Sequence, residues 1–186
     1  MKLFMLLLGA TPPGRFTEQH DIFFGIANSL KELIPGIIKA WPEAKSKIHI
    51  DAWREVNYVD GYEVKVLENN HSNVTPPSQP MKLFFINLGG YKENEFDEFH
   101  YKILMAAENK AAAIQRAKQS AFYKHTGFKG ANSHIDDKYG VDVDDIYEIE
   151  DILPNDLKEK YALHISPSAN AGEDEMNLGY FRLDKL

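Results

Sequence analysis

The chain has 186 residues, 44% hydrophobic and 26% charged, with a net charge of −7 at pH 7 and no cysteine. That length can bury a core as one domain or as two small ones. Missing thiols exclude disulfides, thiolate metal sites and cysteine nucleophiles, and the acidic balance argues against a sequence-independent grip on nucleic acid.

Residues 2–9 form a short apolar run of strand length, ended by glycine. With Lys2 in front and Gly9-Ala10 behind, the run imitates a short signal peptide. The same pattern recurs internally as MKLFFINLGG at residues 81–90, so a strand of the folded domain is the better reading. The run is also far too short to span a bilayer, and a cytoplasmic protein without a membrane partner is expected. Thr11-Pro12-Pro13-Gly14 reads as a turn, and His20–Ala27 as a second strand, apolar on both faces. Ser29 and Glu32 have the capping-box form. They open a helix that should end near Trp41-Pro42, kinked at Pro35 by the missing N–H.

Ile48–Trp53 alternates as a strand, with Ile48, Ile50 and Ala52 on one face and His49, Asp51 and Trp53 on the other. Asp60-Gly61 is a hairpin signal, and Tyr62–Leu67 is the return strand. Residues 69–80 are polar, with three prolines, and read as a linker.

The second half repeats the first. At a constant offset of 80, 9 of the first 20 residues recur, among them Leu8/Leu88, Gly9/Gly89, Phe16/Phe96, Glu18/Glu98 and His20/His100. At an offset of 85, His49-Ile50-Asp51 recurs as His134-Ile135-Asp136, followed by Val56/Val141, Asp60/Asp145, Tyr62/Tyr147 and Glu63/Glu148. The second helix is expected to be the longer, from Lys110 to about Tyr123, on helix-favouring composition. The fold class predicted is α+β, a tandem duplication of a ββαββ unit packed about a pseudo-twofold axis. Residues 1–70 form the first repeat, 71–80 the linker, 81–153 the second repeat, and 154–186 a C-terminal extension packed on the repeats. Within the extension, Pro154–Tyr161 reads as a short helix, Ser166–Glu175 as a loop and Tyr180–Leu183 as a final strand.

Twelve residues make up the candidate ligand-binding or structural polar network: Glu18, His20, His49, Asp51, Asp60, Tyr62 and their counterparts Glu98, His100, His134, Asp136, Asp145, Tyr147. Glu-x-His and His-x-Asp in extended backbone place both side chains on one side of a strand. A carboxylate beside an imidazole orients the ring and raises its basicity, which serves general-base chemistry or a metal. His20, His49 and Asp51 are the metal-ligand candidates, with N/O donors suited to zinc, manganese or iron. The plainer alternative is that these groups satisfy turns and buried backbone. On sequence alone that structural role outweighs a ligand site, and a ligand site outweighs catalysis. No cofactor is predicted, and a divalent metal is the one candidate. Gly89-Gly90 is followed by a strand rather than a helix, so it offers no phosphate loop. Asp142–Asp151 lacks the spacing of a calcium loop.

Leu3-Phe4, Leu8-Gly9, Glu18, His20-Asp21, His49-Ile50-Asp51, Asp60-Gly61-Tyr62, and in the second half Leu83-Phe84, Leu88-Gly89-Gly90-Tyr91, Glu98 and His100, together resemble a bacterial family known as domain of unknown function 1543. The resemblance spans about residues 1–150. It implies a bacterial cytoplasmic protein of unassigned activity and brings no catalytic residues with it. The function expected is a non-enzymatic module that binds a small ligand or a protein partner, a homodimer included. The alternatives are a metal-dependent hydrolase using the His/Glu/Asp cluster, and an immunity or antitoxin protein whose acidity suits a basic toxin.

Overall fold

The computed structural model describes residues 1–44, 47–69, 81–119, 127–128, 131–132, 134–135, 146–169 and 172–186. The chain forms two compact units: Met1–Ser72 together with Leu153–Leu186, and Asn73–Ile152. Both mix helices with antiparallel sheet, so the α+β class holds. Among the described residues no helix is long and apolar enough to cross a membrane.

In the first unit, β1 (Lys2–Ala10) and β2 (Gln19–Ala27) make a hairpin of nine antiparallel pairs, from Lys2–Ala27 to Ala10–Gln19. Helix α1 (Leu30–Ala40) follows, then β3 (His49–Glu55), β4 (Tyr58–Val59) and β5 (Tyr62–Glu68). Alternate residues of β1, namely Phe4, Leu6, Leu8 and Ala10, meet Leu33 and Ile37 of α1 and Ile48 and Ile50 in one buried cluster. Leu3 and Met5 on the opposite face are buried as well. Helix α1 runs through Pro35 without interruption. Its capping box is displaced by a residue. The Ser29 side chain makes no cap bond, while Glu32 Oε2 accepts from the Asn28 N–H at 3.0 Å.

Asp60-Gly61 forms the predicted turn, with φ of 55° and 84°, the left-handed pair that a two-residue hairpin needs. That hairpin joins β4 to β5, however, and not β3 to β5. The short helix α3 (Ile149–Ile152) ends the second unit, and the first unit resumes with α4 (Asn155–Lys160), β12 (Tyr161–Pro167) and β13 (Asn177–Arg182). β12 pairs with β5 in a sheet ordered β12-β5-β4. It occupies Tyr161–Pro167, a stretch that the sequence had not marked as a strand. β13 pairs with β3 and completes a four-stranded sheet ordered β13-β3-β1-β2.

β3 carries a bulge. Leu7 pairs with Ala52 and Leu8 with Ile50, so Asp51 is the extra residue. A bulge reverses the inward-outward phase beyond it. Trp53, expected beside His49 and Asp51, therefore packs on the helix-side cluster, 6.3 Å from the Phe4 ring.

The second unit contains β6 (Lys82–Gly90), β7 (Phe99–Ala107), α2 (Lys110–Ala117), the strand pairs β8 (Gly127–Phe128) and β9 (Ala131–Asn132), then β10 (His134–Ile135) and β11 (Ile146–Glu148). The β6–β7 register runs from Lys82–Ala107 to Gly90–Phe99, again nine pairs. The Asn109 side chain caps α2 by accepting from the Ala112 N–H at 2.9 Å. α2 has 8 described residues against 11 in α1. It stops because the Gln119 N–H turns back to Arg116 O, an i to i−3 bond that tightens the last turn. The expected continuation to Tyr123, and the linker at 71–80, lie outside the described residues.

β10 and β11 both pair with β6, at different levels. His134 faces Gly89 and Ile135 faces Leu88. Ile146, Tyr147 and Glu148 face Ile86, Phe85 and Phe84. The latter three occupy the register that Trp53, Arg54 and Glu55 hold opposite Leu6, Met5 and Phe4. The ion pairs agree: Lys2 Nζ meets Glu55 at 2.6 Å, and Lys82 Nζ meets Glu148 at 2.8 Å. Glu148 thus holds the register position of Glu55, and Tyr147-Glu148 does not take the place that Tyr62-Glu63 has on β5, contrary to the offset-85 match.

Candidate metal centre

Gly9 sits in the middle of a row that crosses three strands. It pairs with His20 on β2 and with His49 on β3. Cross-strand partners project to the same face of a sheet, so both imidazoles stand over the glycine. A side chain there would destroy the arrangement, because a Cβ at Gly9 would overlap Asp51 Oδ2 and His49 Nε2. The bulge at Asp51 and the hairpin entrance at Glu18 then bring in two carboxylates.

Four contacts define the cluster. His49 Nε2 lies 3.2 Å from Glu18 Oε1 and 3.2 Å from Asp51 Oδ1. His20 Nε2 lies 3.3 Å from Asp51 Oδ2 and 3.6 Å from Glu18 Oε2. Glu18, His20 and Asp51 each offer a donor atom, all within 4.8 Å of one another. The cluster has a closed side and an open one: the His49 side chain is 6% exposed, whereas those of His20 and Glu18 are 42% and 43% exposed. On the closed side, Tyr180 of β13 stacks on the His49 ring, with centroids 4.1 Å apart and planes 29° apart.

The hydrogen bonding within the cluster is incomplete. Asp51 Oδ2 is inaccessible to solvent and accepts no hydrogen bond, although His20 Nε2 is nearby. A neutral imidazole has one N–H to give, and each of these Nε2 atoms faces two carboxylates. An N–H from each ring cannot serve both acceptors. A cation placed among the donor atoms would.

The remaining sequence candidates lie elsewhere. Asp60 forms the β4–β5 turn and Tyr62 opens β5, pairing with Val59 and Pro167 in the other sheet of the first unit. Neither belongs to the cluster. In the second unit, His100 of β7 pairs with Gly89 and Asn87 Nδ2 lies 3.1 Å from its Nδ1. Glu98 precedes that strand by one residue. His134 also pairs with Gly89. Tyr147 sits on β11 beside Phe85, three or more residues along β6 from Gly89. Asp136 and Asp145 lie outside the described residues. Two participants escaped the sequence candidates. Gly9 was visible in principle, since Gly89 repeats it. Tyr180 left no trace, because it lies outside the repeat.

A cavity of about 810 Å³ borders His49, between α1 and β13, and is lined by Lys31, Ile34, Ile38, Tyr180 and Arg182 among others. At its rim Arg182 forms a two-pronged ion pair with Asp184, at 2.8 and 2.9 Å. The guanidinium holds the Asp184 carboxyl below its ordinary range.

Residues 15–66 match the family model described as Domain of Unknown Function (DUF1543). Among the solved structures, the chain is similar to the protein Il1583 from Idiomarina loihiensis, at 23% identity and a TM-score of 0.53. That match covers 98% of this chain and 97% of the other, and it speaks to the fold alone. No curated protein matches the chain.

Proposed function

We propose that this chain is a tandem duplication of one hairpin–helix–strand unit, and that its first copy is a divalent-metal-binding module. The ligands are His20 and His49 through Nε2, with Glu18 and Asp51 through carboxylate oxygens. The observation that carries this is the spacing of the donor atoms. Glu18, His20 and Asp51 each bring one donor atom within 4.8 Å of the others, and His49 Nε2 adds a fourth donor 3.2 Å from an oxygen of each carboxylate. Two imidazole nitrogens face the same two carboxylates, and Asp51 Oδ2 is left without a donor. The duplication is supported by equal hairpin registers and matching lysine–glutamate pairs.

The N/O donor set suits zinc, manganese or iron. Gly9 provides the room, and the Asp51 bulge supplies the ligand that a regular strand would set at another level. The module expected from the sequence takes a small ligand or a protein partner and no cofactor; here a divalent metal stands in the ligand's place. Hydrolysis is a second reading, favoured by the open side at His20 and Glu18, where a water or substrate oxygen could reach the ion.

Metal content of the protein purified without chelator tests the first reading. At least half an equivalent of a transition metal is expected, lost in the His20→Ala/His49→Ala variant, with a raised Tm on adding zinc or manganese. Less than about a tenth of an equivalent and an unchanged Tm would falsify it. Hydrolysis is tested by ester and phosphoester turnover with the reconstituted protein, and turnover that persists in the double variant removes that reading.

A further inference from the structure

We infer that the cleft beside His49, between α1 and β13, binds a small amphipathic anion, an apolar body that ends in one negatively charged group. Its volume of about 810 Å³ lies within the range of about 300–1,000 Å³ common to small-molecule sites. Every lining residue belongs to the first unit. The site is therefore complete within that unit.

The walls are apolar where they are built from regular elements. Lys31, Ile34 and Ile38 follow one another at helical spacing, so they share one face of α1. Leu33 and Ile37 enter the core from the neighbouring face, which leaves Ile34 half-buried and Ile38 39% exposed. On the other wall, Arg182 of β13 pairs with His49 of β3. Cross-strand partners project to the same face, and Tyr180 joins them by stacking on the His49 ring. Tyr180 is itself 69% exposed. Isoleucine and tyrosine surfaces thus line one cleft, the apolar lining with a few polar groups that small-molecule sites share.

Charge sets the sign of the ligand. The whole chain has 21 lysines and arginines against 28 acidic residues, yet the cleft is lined by three cationic side chains, Lys31, Lys47 and Arg182, against Asp184 alone. A carboxylate at Leu186 still leaves the excess positive. A local excess opposite in sign to the net charge concentrates anions. Asp184 does not cancel the site. It takes two N–H groups of Arg182, at 2.8 and 2.9 Å, and so fixes the guanidinium plane while three of its five donors stay available. Lys31 and Lys47 form no ion pair among the described residues. The cleft meets the metal cluster only through His49, since Glu18, His20 and Asp51 do not line it. The inference accordingly stands apart from the metal reading.

The test titrates the intact chain, as purified, with the fluorescent dye anilinonaphthalene sulfonate, an anion on an aromatic body, while circular dichroism reports the fold of each variant. One saturable equivalent is expected. Octanoate and octyl phosphate should displace it, the stronger of the two naming the headgroup. Octylammonium, with the same apolar chain and the opposite charge, should not. Lys31→Gln/Lys47→Gln should weaken the dye at least about fivefold. Ile38→Asp, which sets a negative charge on the apolar wall, should abolish uptake. His20→Ala, outside the cleft, should bind as the wild type does. No saturable binding, displacement by octylammonium as effective as by octanoate, or an affinity unchanged in both cleft variants overturns the inference. So does loss of the dye with His20→Ala, which would place it at the metal cluster. None of these outcomes alters the metal content on which the first reading stands or falls.

Discussion

At the scale of single residues, Gly9 decides whether the cluster can exist. Its missing side chain is the space into which Asp51 and His49 reach. Gly9→Ala forces a methyl among buried polar atoms, and overpacking of this kind costs about 1–3 kcal/mol. Denaturant unfolding should register that loss, and zinc binding at the first unit should disappear with it. A variant of wild-type stability and metal content would show that the neighbouring side chains yield without cost. Tyr180 acts differently, by holding the face of the His49 ring. Tyr180→Ala should leave β13 paired but weaken metal binding about tenfold, the lower end of what the loss of an orienting partner costs. Calorimetric titration of the variant checks this, and an unchanged affinity would reduce the stacking to mere packing.

At the scale of elements, the repeated hairpins were legible because apolar runs of strand length ended in glycine twice. Glu-x-His marked their entrances. The equal registers of β1–β2 and β6–β7 follow from that pattern. The bulge was not legible, because Ile48–Trp53 alternates perfectly as a string and only the partner strand reveals that Asp51 has no opposite number. Alternation therefore placed Trp53 on the wrong face. The offset-85 match failed for a related reason: sequence identity at Tyr62 and Tyr147 says nothing of which strand each pairs with. β12 was missed because Tyr161–Pro167 carries a histidine, a serine and a proline, and its strand character comes from pairing with β5 rather than from composition.

The corrected equivalence has an energetic side. Glu148 raises the affinity of Lys82 for its proton through a hydrogen bond and its charge. A lysine pKa that is raised in the folded state stabilises at every pH below the unfolded value of about 10.4 and loses that contribution above it. Both side chains are partly exposed, at 42% and 21%, so solvent screening limits the pair to less than about 1 kcal/mol. Glu148→Gln should lower the denaturation midpoint only slightly at pH 7, and not at all at pH 12. A larger drop would mean that the pair fixes β11 in place.

At the scale of the whole molecule, metal binding should depend on acidity. An imidazole ligates only in its neutral form, so protons compete with the ion. Uptake of zinc measured between pH 8 and pH 5 should fall progressively and be lost near the lower limit. A flat profile would point to carboxylate-only binding. Much of this larger picture could be read in the chain: an α+β class, and the first-half His and carboxylate pairs that gather at one end of a sheet. The partition could not. The first unit is discontinuous, built from Met1–Ser72 and Leu153–Leu186, because a C-terminal segment outside any repeat supplies β12 and β13.

That partition makes the second unit a guest in the first. The chain departs after β5 and is back by Leu153, and β5 and β12 are antiparallel neighbours with Glu68 opposite Tyr161. The exits touch, since the Asn69 N–H donates to Lys160 O at 2.7 Å. A host whose two ends already meet needs no spacer to close. Joining Asn69 to Lys160 through Asn-Gly should yield a soluble miniature that melts cooperatively and retains one zinc, whereas an aggregating product would mean that host and guest cannot be parted.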